Sequence, residues 1–150
     1  MSMYGTLERL PLGRQLFSRV YQAAAPYFLT IPASINSVEP GVATASMLHA
    51  PWVRNHLGTV HAIALCNLAE FTMGAVAEAT IPSTHRWVPK GMTVEYLAKA
   101  RGKMHAEATL VLPAPLGDRV ELPVEISVRD SDGLEVFTAT IRIWVTKRPA

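Results

Sequence analysis

The sequence predicts an α+β domain in which a curved antiparallel β-sheet wraps around one long central α-helix. Two observations carry that prediction. Residues 62–79, AIALCNLAEFTMGAVAEA, are rich in helix formers, lack proline and are apolar on nearly every side, as in a helix buried all round. The second half of the chain alternates apolar and polar residues between short turns, as in antiparallel strands with one face covered. Strands on both sides of such a helix pack most economically by curling around it.

Residues 12–24 place Leu12, Leu16, Phe17, Val20 and Tyr21 at helical spacing and Pro26 ends that helix, so residues 1–26 read as an N-terminal helical extension. Strands are expected over 34–39 and 42–48, joined by a tight turn at Pro40-Gly41. The long helix follows and closes at Pro82. Met92, Val94, Tyr96 and Ala98 mark the next strand, and Met104, Ala106, Ala108 and Leu110 the one after. Val120, Leu122, Val124, Ile126 and Val128 form the clearest alternation, with Pro123 implying an edge or a bulge. Asp132-Gly133 is a hairpin turn, and Phe137, Ala139, Ile141, Ile143 and Val145 form the last inward row. No repeat or linker divides the chain, so residues 1–150 read as one domain.

The composition narrows the function. A chain of 150 residues that is 49% hydrophobic can bury a real core and is not a disordered tail. A formal charge of +2 is too small to argue for nucleic acid. The single cysteine, Cys66, excludes an intrachain disulfide and a multi-cysteine metal site. Glu8 and Arg9 stand where a secretion signal needs an apolar stretch, and no run approaches the ~20 apolar residues of a membrane span. The expectation is a cytoplasmic protein with no nucleic-acid or membrane partner.

Chemistry concentrates in RNHLGTVHAIALCNLAE, residues 54–70. Unpaired N–H groups at a helix start suit an anion or a polarised carbonyl oxygen. Gly58 would allow close approach of a substrate or a positive φ, and Thr59 or His61 sits near the cap. Asn55 and His61 could each donate to a carbonyl, position a water, or simply fix the loop. Glu70 lies within the apolar helix beside Cys66, Asn67, Met73 and Gly74, and no lysine or arginine occurs between Arg54 and Arg86. A carboxylate there is costly unless something polar meets it, which marks it as functional or as structurally hydrogen-bonded. Glu78 reads as a solvated surface residue. Cys66 reads as a small core residue rather than a nucleophile, and His56 as a loop-fixing group. His56 and His61 are spaced wrongly for a metal pair, so no metal ligands are assigned. Lys99, Arg101 and Lys103 cluster at a turn and are either a solvated face or contacts for phosphates.

The run NHLGTVHAIALCNLAE resembles the N-x-x-G-x-x-H-G-G…D/E signature of phenylacetate-pathway (PaaI-like) acyl-CoA thioesterases of the hotdog fold. Together with PYFLTI and HRWVPKGMTVEYLAKA, it is most similar to a related bacterial hotdog family, the domain of unknown function DUF4442. That resemblance implies a homodimer, or a tetramer built as a dimer of dimers, with active sites across the subunit interface. It implies hydrolysis of an acyl-CoA or acyl-carrier thioester, with coenzyme A as part of the substrate and no separate cofactor. Glu70 matches the helix carboxylate that acts as general base or nucleophile, Asn55 the motif asparagine, Gly58 the glycine and His61 the histidine. Ala62-Ile63 replaces Gly-Gly, though an amide of either residue could still polarise the thioester carbonyl. Thr59, Cys66, Met73, Trp87 and Met92 would contact the acyl group or its approach, and Lys99, Arg101 and Lys103 the phosphates. The rival is a hotdog protein that binds a fatty-acyl group without turnover. Hydration of an enoyl thioester is a third chemistry of the fold, but its paired Asp and His are not found.

Overall fold

Period-two alternation does most of the building. A computed structural model describes Val20, Ala23 and residues 25–149; the expected helix over 12–24 otherwise lies outside the described residues. Proline at its first position starts a short 3-10 turn at Pro26–Thr30, which drops Phe28 into the core. Strands β1 (Ala33–Glu39) and β2 (Val42–Met47) form a hairpin through Pro40-Gly41, where Gly41 has φ +92°. Helix α1 (Ala62–Thr80) is followed by β3 (His85–Tyr96), β4 (Met104–Leu110), β5 (Val120–Arg129) and β6 (Glu135–Lys147). All pairings are antiparallel, in the order β1-β2-β4-β5-β6-β3.

The expected inward rows are buried: Met104 to Leu110 in β4, Leu122 to Val128 in β5, and Phe137 to Val145 in β6. They share one core with Leu68, Phe71, Met73 and Val76 of α1. The β5–β6 turn is tied by the buried Asp130, whose Oδ1 accepts the amides of Asp132 and Leu134. By length and composition α1 could cross a membrane, yet its buried residues run from Ala64 to Ala77 inside the sheet. Phe71 anchors that packing, edge-on to Phe28 at 5.3 Å between centroids. Phe71→Ala is expected to cost about 3–5 kcal/mol and about 10 °C in Tm. Thermal and urea unfolding read it, and a loss below about 1 kcal/mol would contradict tight packing at this position.

Three expectations need correction. Pro123 lies in an interior strand rather than at an edge or bulge. However, β4 runs out at Leu110 opposite Val124, so at Pro123 the strand is paired on the β6 side alone. Strand β3 begins seven residues before Met92 and ends at Tyr96. His85–Gly91 escaped the alternation rule because its buried position is a histidine, apolar Val88 is exposed, and Pro89 and Gly91 flank a register shift that breaks the period. Finally, α1 is not buried all round. Ile63, Cys66, Asn67, Glu70 and Glu78 leave a partly open stripe, on a helix otherwise enclosed by the sheet.

Candidate active site

The stripe begins at the polar loop before α1, whose shape follows from one asparagine. The Asn55 side-chain oxygen accepts the amides of Leu57 (2.9 Å) and Thr59 (3.2 Å), and its Nδ2 donates to Thr59 Oγ1 (2.8 Å). Backbone bonds from Asn55 to Thr59 and from Gly58 to Asn55 close the turn. Gly58 has φ +73°, while a Cβ built there would meet nothing within 4 Å. Glycine is needed for the left-handed conformation, then, and not for close packing within the chain. Asn55 and Thr59 direct their side-chain bonds into the loop; Thr59 is buried. The amide of Val60 donates to Ala100 and that of His61 to Val53, pinning the loop to the sheet side of the helix start.

His61 caps α1: its Nδ1 accepts the Ile63 amide at 3.1 Å. An accepting Nδ1 leaves the neutral ring's proton on Nε2, so this exposed side chain presents a donor. The cap also bears on the two amides at Ala62-Ile63. The Ile63 amide is engaged, and the Ala62 amide makes no bond among the described residues. The Ile63 side chain stands 55% exposed beside it.

Two turns further on, Glu70 opens on a cavity of about 270 Å³ walled by Phe28, Met73, Gly74, Glu78, Trp87 and Pro89. Among the described residues Glu70 has no hydrogen bond or ion pair. Met73 and Trp87 line this cavity, and Met92 is not among its lining residues. Glu78 is exposed, as expected, but it is no bystander: its Oε1 accepts the Trp87 indole N–H at 3.1 Å and it walls the same cavity. The signal was available in the sequence, because Glu70, Gly74 and Glu78 lie on one i, i+4 row. The wall residues Phe28 and Pro89 gave no such signal, since distant elements bring them there.

Cys66 is half-buried and lies 3.4 Å from the Tyr96 hydroxyl, a partner the sequence did not reveal. That bond, with a smaller contribution from burial, pushes the Tyr96 phenol up from 10.0 to about 12. Ultraviolet titration should show Tyr96 ionising near 12, with Cys66→Ala returning it toward 10. An unmoved titration would remove the thiol as the cause. Lys99, Arg101 and Lys103 are exposed on the β3–β4 loop and none lines the Glu70 cavity. Gly102 in that loop donates its amide to His49 Nδ1 (3.2 Å). Among the described residues no three metal-ligating side chains gather.

A six-stranded antiparallel sheet in this order, curled around a helix that carries a carboxylate on its open stripe, defines a hotdog-fold protein. The profile of one family matches residues 13–145. The chain belongs to that family, the domain of unknown function DUF4442. Among solved structures it is similar to a structural-genomics crystal structure at 37% identity and TM-score 0.82, with 97% of each chain covered. It also resembles a Pseudomonas aeruginosa protein of unknown function named a probable thioesterase (23% identity, TM-score 0.79, 93% of this chain and 97% of that one). A Haemophilus influenzae thioesterase superposes with TM-score 0.76 at 16% identity, over 89% of this chain and 90% of that one. No curated protein sequence matches the chain.

Proposed function

We propose that the protein hydrolyses an acyl thioester, of coenzyme A or of a related acyl carrier, with Glu70 as general base or nucleophile. The observation that carries this reading is Glu70 itself: a carboxylate with no partner among the described residues, on a largely buried helix and facing a mainly apolar cavity. The cavity suits an acyl chain, and the carboxylate suits activation of water or direct attack on the thioester carbon. The thioesterase names carried by hotdog structures of similar shape support the same class.

The oxygen-binding half of the site comes from a second copy. Ala62 and Glu70 are eight residues apart, about 12 Å along the helix, so one thioester carbonyl cannot meet both in the same chain. Among the described residues strand β3 is an unpaired edge, and exposed Ile63, Val88 and Tyr96 flank the open stripe. A homodimer formed there sets Glu70 of one protomer against the Ala62 amide and His61 Nε2–H of its partner. Asn55 holds the loop that aims these donors. A tetramer would repeat this dimer. Assay of the purified protein over a panel of acyl-CoAs tests the class, and no turnover across the panel would overturn it.

The rival reading, acyl binding without hydrolysis, is favoured by one feature: the His61 cap removes the Ile63 amide from the oxygen site. An acyl ligand that copurifies and survives incubation intact would select it.

A further inference from the structure

We propose that Tyr96 is a further catalytic residue, whose hydroxyl donates a hydrogen bond to the carbonyl oxygen of the acyl group that Glu70 addresses. The chemistry at that carbonyl rests on the thioester reading above. The geometry is a phenol on the inner face of β3 that reaches the open stripe of α1 one turn before Glu70.

Register aims the side chain. Tyr96 stands opposite Phe137 in the β3–β6 ladder, and residues facing each other across an antiparallel pair project to the same face. Phe137 is fully buried, so Tyr96 also points inward, its ring centroid 5.6 Å from that of Phe137. Strand β3 passes along α1 in the opposite sense: Trp87 bonds Glu78, Pro89 walls the Glu70 cavity and Tyr96 meets Cys66. The Tyr96 hydroxyl lies 3.4 Å from the Cys66 sulfur. Cys66 and Glu70 are an i, i+4 pair, about 5–6 Å apart, and helix side chains tilt toward the N-terminus, so Glu70 leans toward the turn that carries Cys66. A carbonyl between carboxylate and phenol can touch both. The order along the stripe is then apolar cavity, carboxylate, phenol, which matches acyl chain, carbonyl carbon and carbonyl oxygen.

Three features suit this hydroxyl to the task. Tyr96 is 51% exposed, so a ligand on the stripe can reach it. Its partner is a sulfur, a weak acceptor that a carbonyl oxygen replaces with gain. The Cys66 bond and, to a smaller extent, burial push the phenol up to about 12, so it keeps its proton at neutral pH. The hydroxyl also fills a gap, because the His61 cap has taken the Ile63 amide. Attack on the carbonyl carbon moves the C=O electron pair onto oxygen, where the Tyr96 O–H holds it. The pair returns as the C–S bond breaks and the thiolate departs. Tyr96 stays protonated throughout.

Two measurements test the assignment. Hexanoyl-carba(dethia)-coenzyme A is a ketone with a methylene in place of the thioester sulfur, so it binds without being hydrolysed. Its C=O stretch, read by infrared difference spectroscopy, is expected to fall on the wild-type protein and to lose most of that shift in Tyr96→Phe, which keeps the ring against Phe137. On the best substrate of the acyl-CoA panel, Tyr96→Phe should lower kcat by about 10²- to 10³-fold, with KM within about threefold and Tm unmoved. Co-refolding then assigns the chain. Tyr96→Phe mixed with His61→Phe should recover about a quarter of wild-type activity, and mixed with Glu70→Gln none, since Tyr96 and Glu70 serve one site from one chain. No carbonyl shift on the wild type, an equal shift in Tyr96→Phe, an unchanged kcat, or recovery in the Glu70→Gln mixture would overturn the proposal. A shift lost in Tyr96→Phe, from a protein that turns over no thioester, would uphold the Tyr96 contact while overturning hydrolysis.

Discussion

Glu70→Gln lowers thioester turnover by about 10²- to 10⁴-fold, the range that a positioned general base contributes, while coenzyme A affinity stays within about twofold. Glutamine keeps the shape of the side chain and removes its ability to take a proton or attack a carbonyl. Because Glu70 is half-open to its cavity and has no partner among the described residues, the change strands no buried group, and Tm should barely move. A fall in kcat with unchanged melting therefore reports chemistry rather than folding. Hydroxylamine separates the two roles: an acyl hydroxamate formed from the enzyme indicates a nucleophilic carboxylate, and its absence during normal turnover indicates a base. Turnover unchanged in Glu70→Gln would remove this residue from the mechanism.

Mixed dimers give the second large effect. Glu70→Gln and His61→Phe protomers, each strongly impaired alone, should recover activity when unfolded together and refolded. In a two-fold dimer, each site of a mixed pair takes Glu70 from one chain and the helix start from the other. One of its two sites is then wholly wild type. Random pairing makes half of the dimers mixed, so about a quarter of wild-type activity is expected. If both groups served the same site from one chain, mixing would restore nothing. The result tests the ~12 Å separation argument directly.

Much of this architecture was legible because burial imposes a local period. β5 and β6 show it most clearly: Leu122 to Val128 and Phe137 to Val145 alternate in the sequence and are buried in the core. The first half of β3 was not legible, since its buried position is His85, apolar Val88 is exposed, and a register shift at Pro89 and Gly91 breaks the period. Glu70 stood out for a similar reason, as an acid where the surrounding period demanded apolar residues. Asn55 was ambiguous, because the same amide can face a substrate or its own turn. The tertiary structure shows its side chain bonded to Leu57 and Thr59 within its own turn. Glu78 was set aside because exposure was inferred from its neighbours in sequence, while its partner Trp87 arrives from β3.

By itself the sequence determined that a nearly all-apolar helix would sit against an antiparallel sheet and that Glu70 would lie on that helix. Helix and strand identity follow from the periodicity of nearby residues, which one chain displays in full. Only the tertiary structure decided which side of α1 stays open. The sheet ends at β3, and where it ends depends on strand order and register, which no local pattern encodes. That ending turns Glu70 from a buried expense into a carboxylate facing a cavity.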